Sequence, residues 1–302
     1  MILIIICFIL SLQVLTPVRC RAQSNSVSLV VESERALHEG DPVRSAALAE
    51  KRLRIEPKDI AAQVMLGRAL LAQGNFQEAY GQLRKALKSD PRNIDALYYL
   101  GIVVNVLSQS EFGKLYALAP RSYRVHQLLG EAALIQGRQS EAENEFQSAL
   151  RDNPRSIEVL ISLAELKRTQ SKFDEAIEYY LRAESIGPLN YDIAYGLGAC
   201  YTYKQDIDRA LAYFRKAVIF DPTSGAGRFA LGNALYQKEE FEAAIPELKS
   251  SVALEPKLKQ AYFLLGRAYQ KLGRQVEASE AFKKLDELTK EEFEREQKTR
   301  RP

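Results

Sequence analysis

The chain has 302 residues, 46% of them hydrophobic and 27% charged, a globular composition long enough for two average domains or one extended array. Its 42 Lys and Arg against 39 Asp and Glu leave a formal charge of +3, too small and too evenly spread to mark a nucleic-acid-binding surface. With no Trp, two His and three Cys, few residues are available as metal ligands or imidazole bases, and most enzyme classes are disfavoured.

The first element in chain order is an uncharged apolar run from Met1 to Leu15, followed by Thr16-Pro17 and then Arg19-Cys20-Arg21-Ala22. The apolar core, the helix-ending proline and the small residues Cys20 and Ala22 before Gln23 predict a secretory signal over residues 1–22, cut before Gln23. No Lys or Arg precedes the run, which leaves an uncleaved anchor as the alternative, although the run is shorter than the about 20 apolar residues that a span needs. The bulky cation Arg19 before Cys20 argues against lipidation. Cleavage would remove Cys7 and Cys20 and leave Cys200 without an internal disulfide partner, so Cys200 reads as a small buried helix residue. The chain is therefore expected in an exported, periplasmic or secreted compartment, with inner-membrane anchoring as the alternative.

Beyond residue 59 the chain repeats itself. Pro57, Pro91, Pro120, Pro154, Pro188, Pro222 and Pro256 are spaced by 34 residues, except for one interval of 29 between Pro91 and Pro120. The small residues Gly67, Gly101, Gly130, Ala164, Gly198, Gly232 and Gly266 share the period and the same five-residue defect. With Ile60 as place one, Leu66-Gly67 occupy places seven and eight, Leu70 eleven, Gly74 fifteen, Ala79 twenty, Leu83 twenty-four, Ala86 twenty-seven and Pro91 thirty-two. Apolar spacings of three and four stop at Gly74 and resume until the proline, which predicts helix, turn, helix, stop. Each unit buries little alone, and stacking creates the core.

The predicted units are 60–93, a short one at 94–122, then 123–156, 157–190, 191–224, 225–258 and 259–290. Residues 23–59 keep Gly40, Leu53 and Pro57 and read as a degenerate first repeat capping the amino end. In the short unit Leu107-Ser108-Gln109-Ser110 leaves no room for the usual turn, so an irregularity in the stack is expected there. Residues 286–302, DELTKEEFEREQKTRRP, predict a solvated extension of the last helix, charged most heavily over 291–302.

Leu-Gly, an aromatic or Leu, Ala, an aromatic or Leu, Ala and Pro at these places resemble the tetratricopeptide repeat family. The pattern is clear in Leu129-Gly130, Ala142, Phe146, Ala149 and Pro154, in Leu197-Gly198, Tyr201, Ala210, Phe214, Ala217 and Pro222, and in Leu265-Gly266, Tyr269, Ala278 and Phe282. The resemblance implies an all-α, right-handed superhelical solenoid of antiparallel helix pairs, with about seven or eight repeats, one of them shortened. The tryptophan that the family often carries at place four is replaced by Gln63, Leu97, His126, Leu160, Ala194, Arg228 and Tyr262.

The sequence contains no H-E-x-x-H, C-x-x-C, G-x-x-x-x-G-K-[ST] or G-x-S-x-G. His38 and His126 belong to no constellation, and no catalytic residue, cofactor or metal is expected. The informative feature is a second stripe on each first helix. The resemblance implies that places 2, 5, 9 and 12 line a concave groove that takes peptide segments, and place five runs Val64, Tyr98, Gln127, Ile161, Tyr195, Phe229, Phe263. Tyr98, Tyr195, Phe229 and Phe263, with Tyr203 and Tyr236 on neighbouring positions and Asn233 and Arg267 at place nine, are the expected peptide-binding residues. The competing reading is that these aromatics pack against adjacent helices. Acidic Glu131, Glu158, Glu165 and Asp192 in the middle and basic Arg267 and Lys271 at the end imply a ligand of mixed character. The expectation is a non-catalytic scaffold that binds a protein or peptide segment and assembles or tethers an envelope complex, without nucleic acid and without membrane insertion after cleavage. The alternatives are a membrane-anchored cytoplasmic scaffold and an accessory subunit of a separate enzyme.

Overall fold

The computed structural model describes residues 29–299, and the amino-terminal segment read as a signal lies outside them. The described residues form fifteen helices and no strand. Helix α1 occupies 29–38, followed by α2 (Pro42–Ile55), α3 (Ile60–Ala72), α4 (Phe76–Ser89) and α5 (Ile94–Leu118). Then come α6 (Tyr123–Ile135), α7 (Gln139–Asp152), α8 (Ile157–Thr169), α9 (Phe173–Ile186) and α10 (Tyr191–Tyr203). The last five are α11 (Ile207–Phe220), α12 (Gly225–Gln237), α13 (Phe241–Leu254), α14 (Lys259–Lys271) and α15 (Gln275–Thr299). The chain divides into two compact units, up to Pro120 and from Arg121 onward.

Local chemistry sets the helix boundaries. Every first helix from α3 onward begins on place one of the 34-residue frame, three residues after its proline. In most repeats a short polar residue between the two caps the helix. Asp59 accepts from the Ala62 N–H, Asn93 from Ala96, Ser122 from Val125, Asn190 from Ile193 and Ser224 from Gly227. The turn to the second helix is a left-handed residue at place fifteen. It is Gly74 (φ 79°), Gly137 (73°) or Gly273 (72°) in three repeats, and Ser171 (61°), Gln205 (62°) or Glu239 (62°) in three others. Gly40 (φ 81°) makes the same turn between α1 and α2, so the degenerate first repeat is also a helix pair.

Packing within each pair is a knob in a notch. A Cβ on Gly130 would lie 2.6 Å from the Phe146 ring, on Gly198 2.6 Å from Phe214, on Gly266 2.6 Å from Phe282, and on Gly67 or Gly232 2.7 Å from Leu83 or Leu248. Place eight is thus small because place twenty-four fills it. In the repeat that has Ala164 at place eight, the knob Tyr180 presses on the following repeat, where a Cβ on Gly196 would lie 2.2 Å from its ring. Through such contacts the second unit builds one continuous buried cluster from Ala133 to Ala281.

The short repeat departs from this scheme. α5 is one unbroken helix of 25 residues, so Ser108, at place fifteen, continues the helix instead of turning. Gly101 consequently faces no knob, and a Cβ there would meet nothing within 4 Å.

Candidate functional site

In the second unit the place-five residues project from successive first helices α6, α8, α10, α12 and α14. Burial along this series is uneven. Tyr195 on α10 is half-buried, stacked on Tyr191 with centroids 5.6 Å apart and tilted against Phe214 at 5.9 Å. Burial pushes its phenol above the ordinary value. Phe229 on α12 is half-buried against the core, whereas Phe263 on α14 is 48% exposed and edge-on to Phe282.

Phe229 and Phe263 come together. They line an open cavity of about 410 Å³ with Leu264 and Leu285, rimmed by Lys259, Gln260 and Thr289. Leu285 and Thr289 come from α15, whose extension past the last repeat was legible in the sequence only as a charged helix. Leu288 on that extension is buried, and Lys259 forms an ion pair with Glu292, so the extension docks on α14. The cavity is apolar, with two uncharged polar side chains and the Glu292-paired Lys259 at its edge, a setting for an apolar side chain flanked by polar groups.

The other expected site residues stand elsewhere. Tyr203, at the end of α10, is exposed and stacks on Phe173 of α9 with centroids 4.5 Å apart and planes 9° apart. Tyr236 packs edge-on to Phe241, the first residue of α13, at 5.2 Å. Both therefore lie against second helices. Asn233 is half-buried on α12, and Arg267 is exposed on α14. Tyr98 belongs to the first unit, exposed on α5 and edge-on to Tyr99 at 5.1 Å.

The most perturbed ionisable groups serve the stack. Lys167 is 3% exposed on α8, with its Nζ 2.7 Å from Glu143 and 2.6 Å from Glu175; burial disfavours its charge, but the two carboxylates outweigh that and raise its pKa. Tyr180 donates to Glu165, which also accepts from Arg168 Nη2 at 2.6 Å, so this carboxylate, expected in the groove, is already held within its own repeat. Cys200 is fully buried, and burial pushes its thiol up to about 12, which removes it from nucleophilic chemistry at neutral pH. Among the described residues no three His, Cys, Asp or Glu side chains cluster to hold a metal, and no helix is long and apolar enough to cross a membrane.

Two of the unusual place-four residues have partners one helix away. His126 Nδ1 lies 2.7 Å from Glu145, and Arg228 donates to Glu247 at 2.7 Å, each linking place four to place twenty-three. Polar pairs thus occupy, in these two repeats, the position where a tryptophan would pack.

Family profiles described as tetratricopeptide repeat match residues 36–100, 107–157, 161–225 and 259–292, and one described as TPR repeat matches 232–273. The chain belongs to the tetratricopeptide repeat family. Among solved structures, this tetratricopeptide repeat chain is similar to MamA (20% identity, 55% of this chain and 97% of that one, TM-score 0.52). It is similar also to MamA 41-end from Desulfovibrio magneticus RS-1 (20%, 56% and 96%, TM-score 0.53). A third is YrrB, described as a TPR protein with an unusual peptide-binding site (18%, 59% and 91%, TM-score 0.53). At these identities the likeness is one of fold. No curated protein matches the chain.

Proposed function

We propose that this tetratricopeptide repeat protein is a non-catalytic scaffold that binds a segment of a partner protein along the place-five strip of its second unit. The Phe229–Phe263 cavity is the anchor of that strip and carries the proposal, because it exposes aromatic surface in an array whose other large side chains are mostly packed. The peptide-binding site for which YrrB is described is in keeping with this reading. The buried, paired or hydrogen-bonded state of Lys167, Tyr180 and Cys200 leaves them structural, in support of a binding role without catalysis. The apolar Met1–Leu15 run and the Cys20-Arg21-Ala22 step support export, with the scaffold acting on an envelope complex.

The deciding experiment selects peptides from a displayed random library on the protein and measures their affinity for it and for Phe263→Ala. Loss of affinity with an unchanged unfolding midpoint is the expected result. Selected peptides that bind the variant equally well would remove the cavity from the reading. Amino-terminal sequencing of the protein from cells tests export: a start at Gln23 is expected, and an intact Met1 on membrane-bound material would favour the anchor.

A further inference from the structure

Within the second unit each first helix sits on the repeat before it, and its contacts fall at fixed places of the frame. At place one, Tyr191 meets the following helix α12: its hydroxyl is 2.7 Å from that of Ser224, and a Cβ on Gly227, at place three, would lie 3.3 Å from its ring. At place five, Phe229 shares its cavity with Gln260, Phe263 and Leu264, places two, five and six of α14. At place 27, Ala149, Ala183, Ala217 and Ser251 are fully buried. The incoming helices bury a stripe of apolar and small residues at places three, seven and ten, Gly227, Leu231 and Ala234 on α12 and Ala261, Leu265 and Ala268 on α14.

The last repeat presents the same seat in the open. Among the described residues no first helix follows α15. Places one, five, 27 and 31 of this repeat, Lys259, Phe263, Leu285 and Thr289, line the cavity of about 410 Å³ instead. The neighbouring face of α15 is not made for a further helix pair. Places 21 and 28 are the polar Ser279 and Asp286, where α11 has Leu211 and Val218 and α13 has Ile245 and Val252. A second copy stacking a whole repeat would find no apolar face there, whereas a single helix needs only the seat on α14.

We infer that the part of the partner segment held in the cavity is an α-helix, laid beside α14 where the first helix of a following repeat would lie. Its contact stripe carries apolar or small residues at i, i+4 and i+7, the spacing of places three, seven and ten. A small residue leads the stripe because the backbone has to come close to the seat, as Gly227 does beside Tyr191. This inference rests on the reading of the cavity as the anchor of the partner site and adds the conformation and pattern of the ligand.

Peptides selected from a displayed random library on the full chain test it. They should share apolar or small residues at i, i+4 and i+7 and gain helical circular dichroism on binding. Proline at i+5, off the contact stripe, should weaken them about a hundredfold, whereas alanine there is neutral. Phe263→Ala should weaken the same peptides at least about tenfold. So should Thr289→Trp, which brings an indole into the seat from an exposed position and should leave the unfolding midpoint unchanged. Peptides that lose affinity for both variants but tolerate proline and gain no helix would overturn the helical occupant and leave the scaffold reading standing. Peptides that bind both variants as tightly as the parent would remove the cavity, and with it both the reading and the inference.

Discussion

The ammonium of Lys167 lies 2.7 Å from the carboxylate of Glu143, which comes from the second helix of the preceding repeat, and 2.6 Å from Glu175 in its own repeat. A buried cation thus joins two adjacent repeats. Removing both carboxylates in Glu143→Gln with Glu175→Gln leaves that charge unpaired and should cost about 3 kcal/mol in denaturant unfolding. Lys167→Met removes the charge along with the need for partners, and should stay within about 1 kcal/mol of the parent.

The same group predicts a pH response. Hydrogen bonding to Lys167 holds the Glu175 carboxyl below its ordinary value of 4.5, so its stabilisation is present above that value and is lost as the pH falls through the folded one. Lys167 is raised above its ordinary 10.5, so its contribution is complete below that value and fades only as the pH rises through the folded one. Unfolding free energies measured at neutral pH and in the acid range should therefore fall more steeply for the parent than for Lys167→Met.

At the turns, three non-glycine residues adopt the left-handed conformation that glycine adopts freely. Ser171→Gly, Gln205→Gly and Glu239→Gly should each raise stability by about 0.5–1 kcal/mol, whereas Gly273→Ala should lower it by about 1 kcal/mol. Thermal midpoints of the four single variants check the opposite signs.

Two glycines at the same place of the frame should respond in opposite directions. Gly198→Ala drives a methyl to 2.6 Å from Phe214 and should destabilise by about 1–3 kcal/mol. Gly101→Ala meets nothing within 4 Å and should stabilise α5 by up to about 1 kcal/mol. Equal effects would contradict the open notch on α5.

In the cavity, Phe263→Ala should weaken a selected peptide by roughly thirtyfold, about 2 kcal/mol, with little loss of stability because that ring is 48% exposed. Phe229→Ala, half-buried against the core, should weaken binding and also lower stability. Paired measurements of affinity and unfolding midpoint separate the two effects.

The period, the helix-turn-helix-stop pattern and the small residue at place eight were legible in the sequence, because each depends on chemistry within one repeat. Proline stops a helix, and Gly67, Gly130, Gly198, Gly232 and Gly266 recur wherever a knob from the same repeat arrives, whereas the capping by Asp, Asn or Ser became visible only in the folded chain. The absence of a turn in the short repeat was equally local, since Leu107 to Ser110 offers no spare residue. Whether that segment bent or ran on was settled in the folded chain, where Ser108 continues the hydrogen-bonded helix.

The aromatic stripe divides differently. Spacing on a helix puts Tyr195, Phe229 and Phe263 on one face, but exposure depends on what the next helix brings. Tyr195 has Tyr191 and Phe214 against it, Phe229 and Phe263 share a cavity closed on one side by Leu285, and Tyr203 and Tyr236 lean on Phe173 and Phe241. The place-four pairs His126–Glu145 and Arg228–Glu247 have the same origin, 19 residues apart and joined only across a helix pair. Sequence by itself determined the repeating unit, because its signals act within a turn or two of helix. Only the tertiary structure decided which faces of that unit are covered, because burial is a property of neighbours brought together from distant parts of the chain.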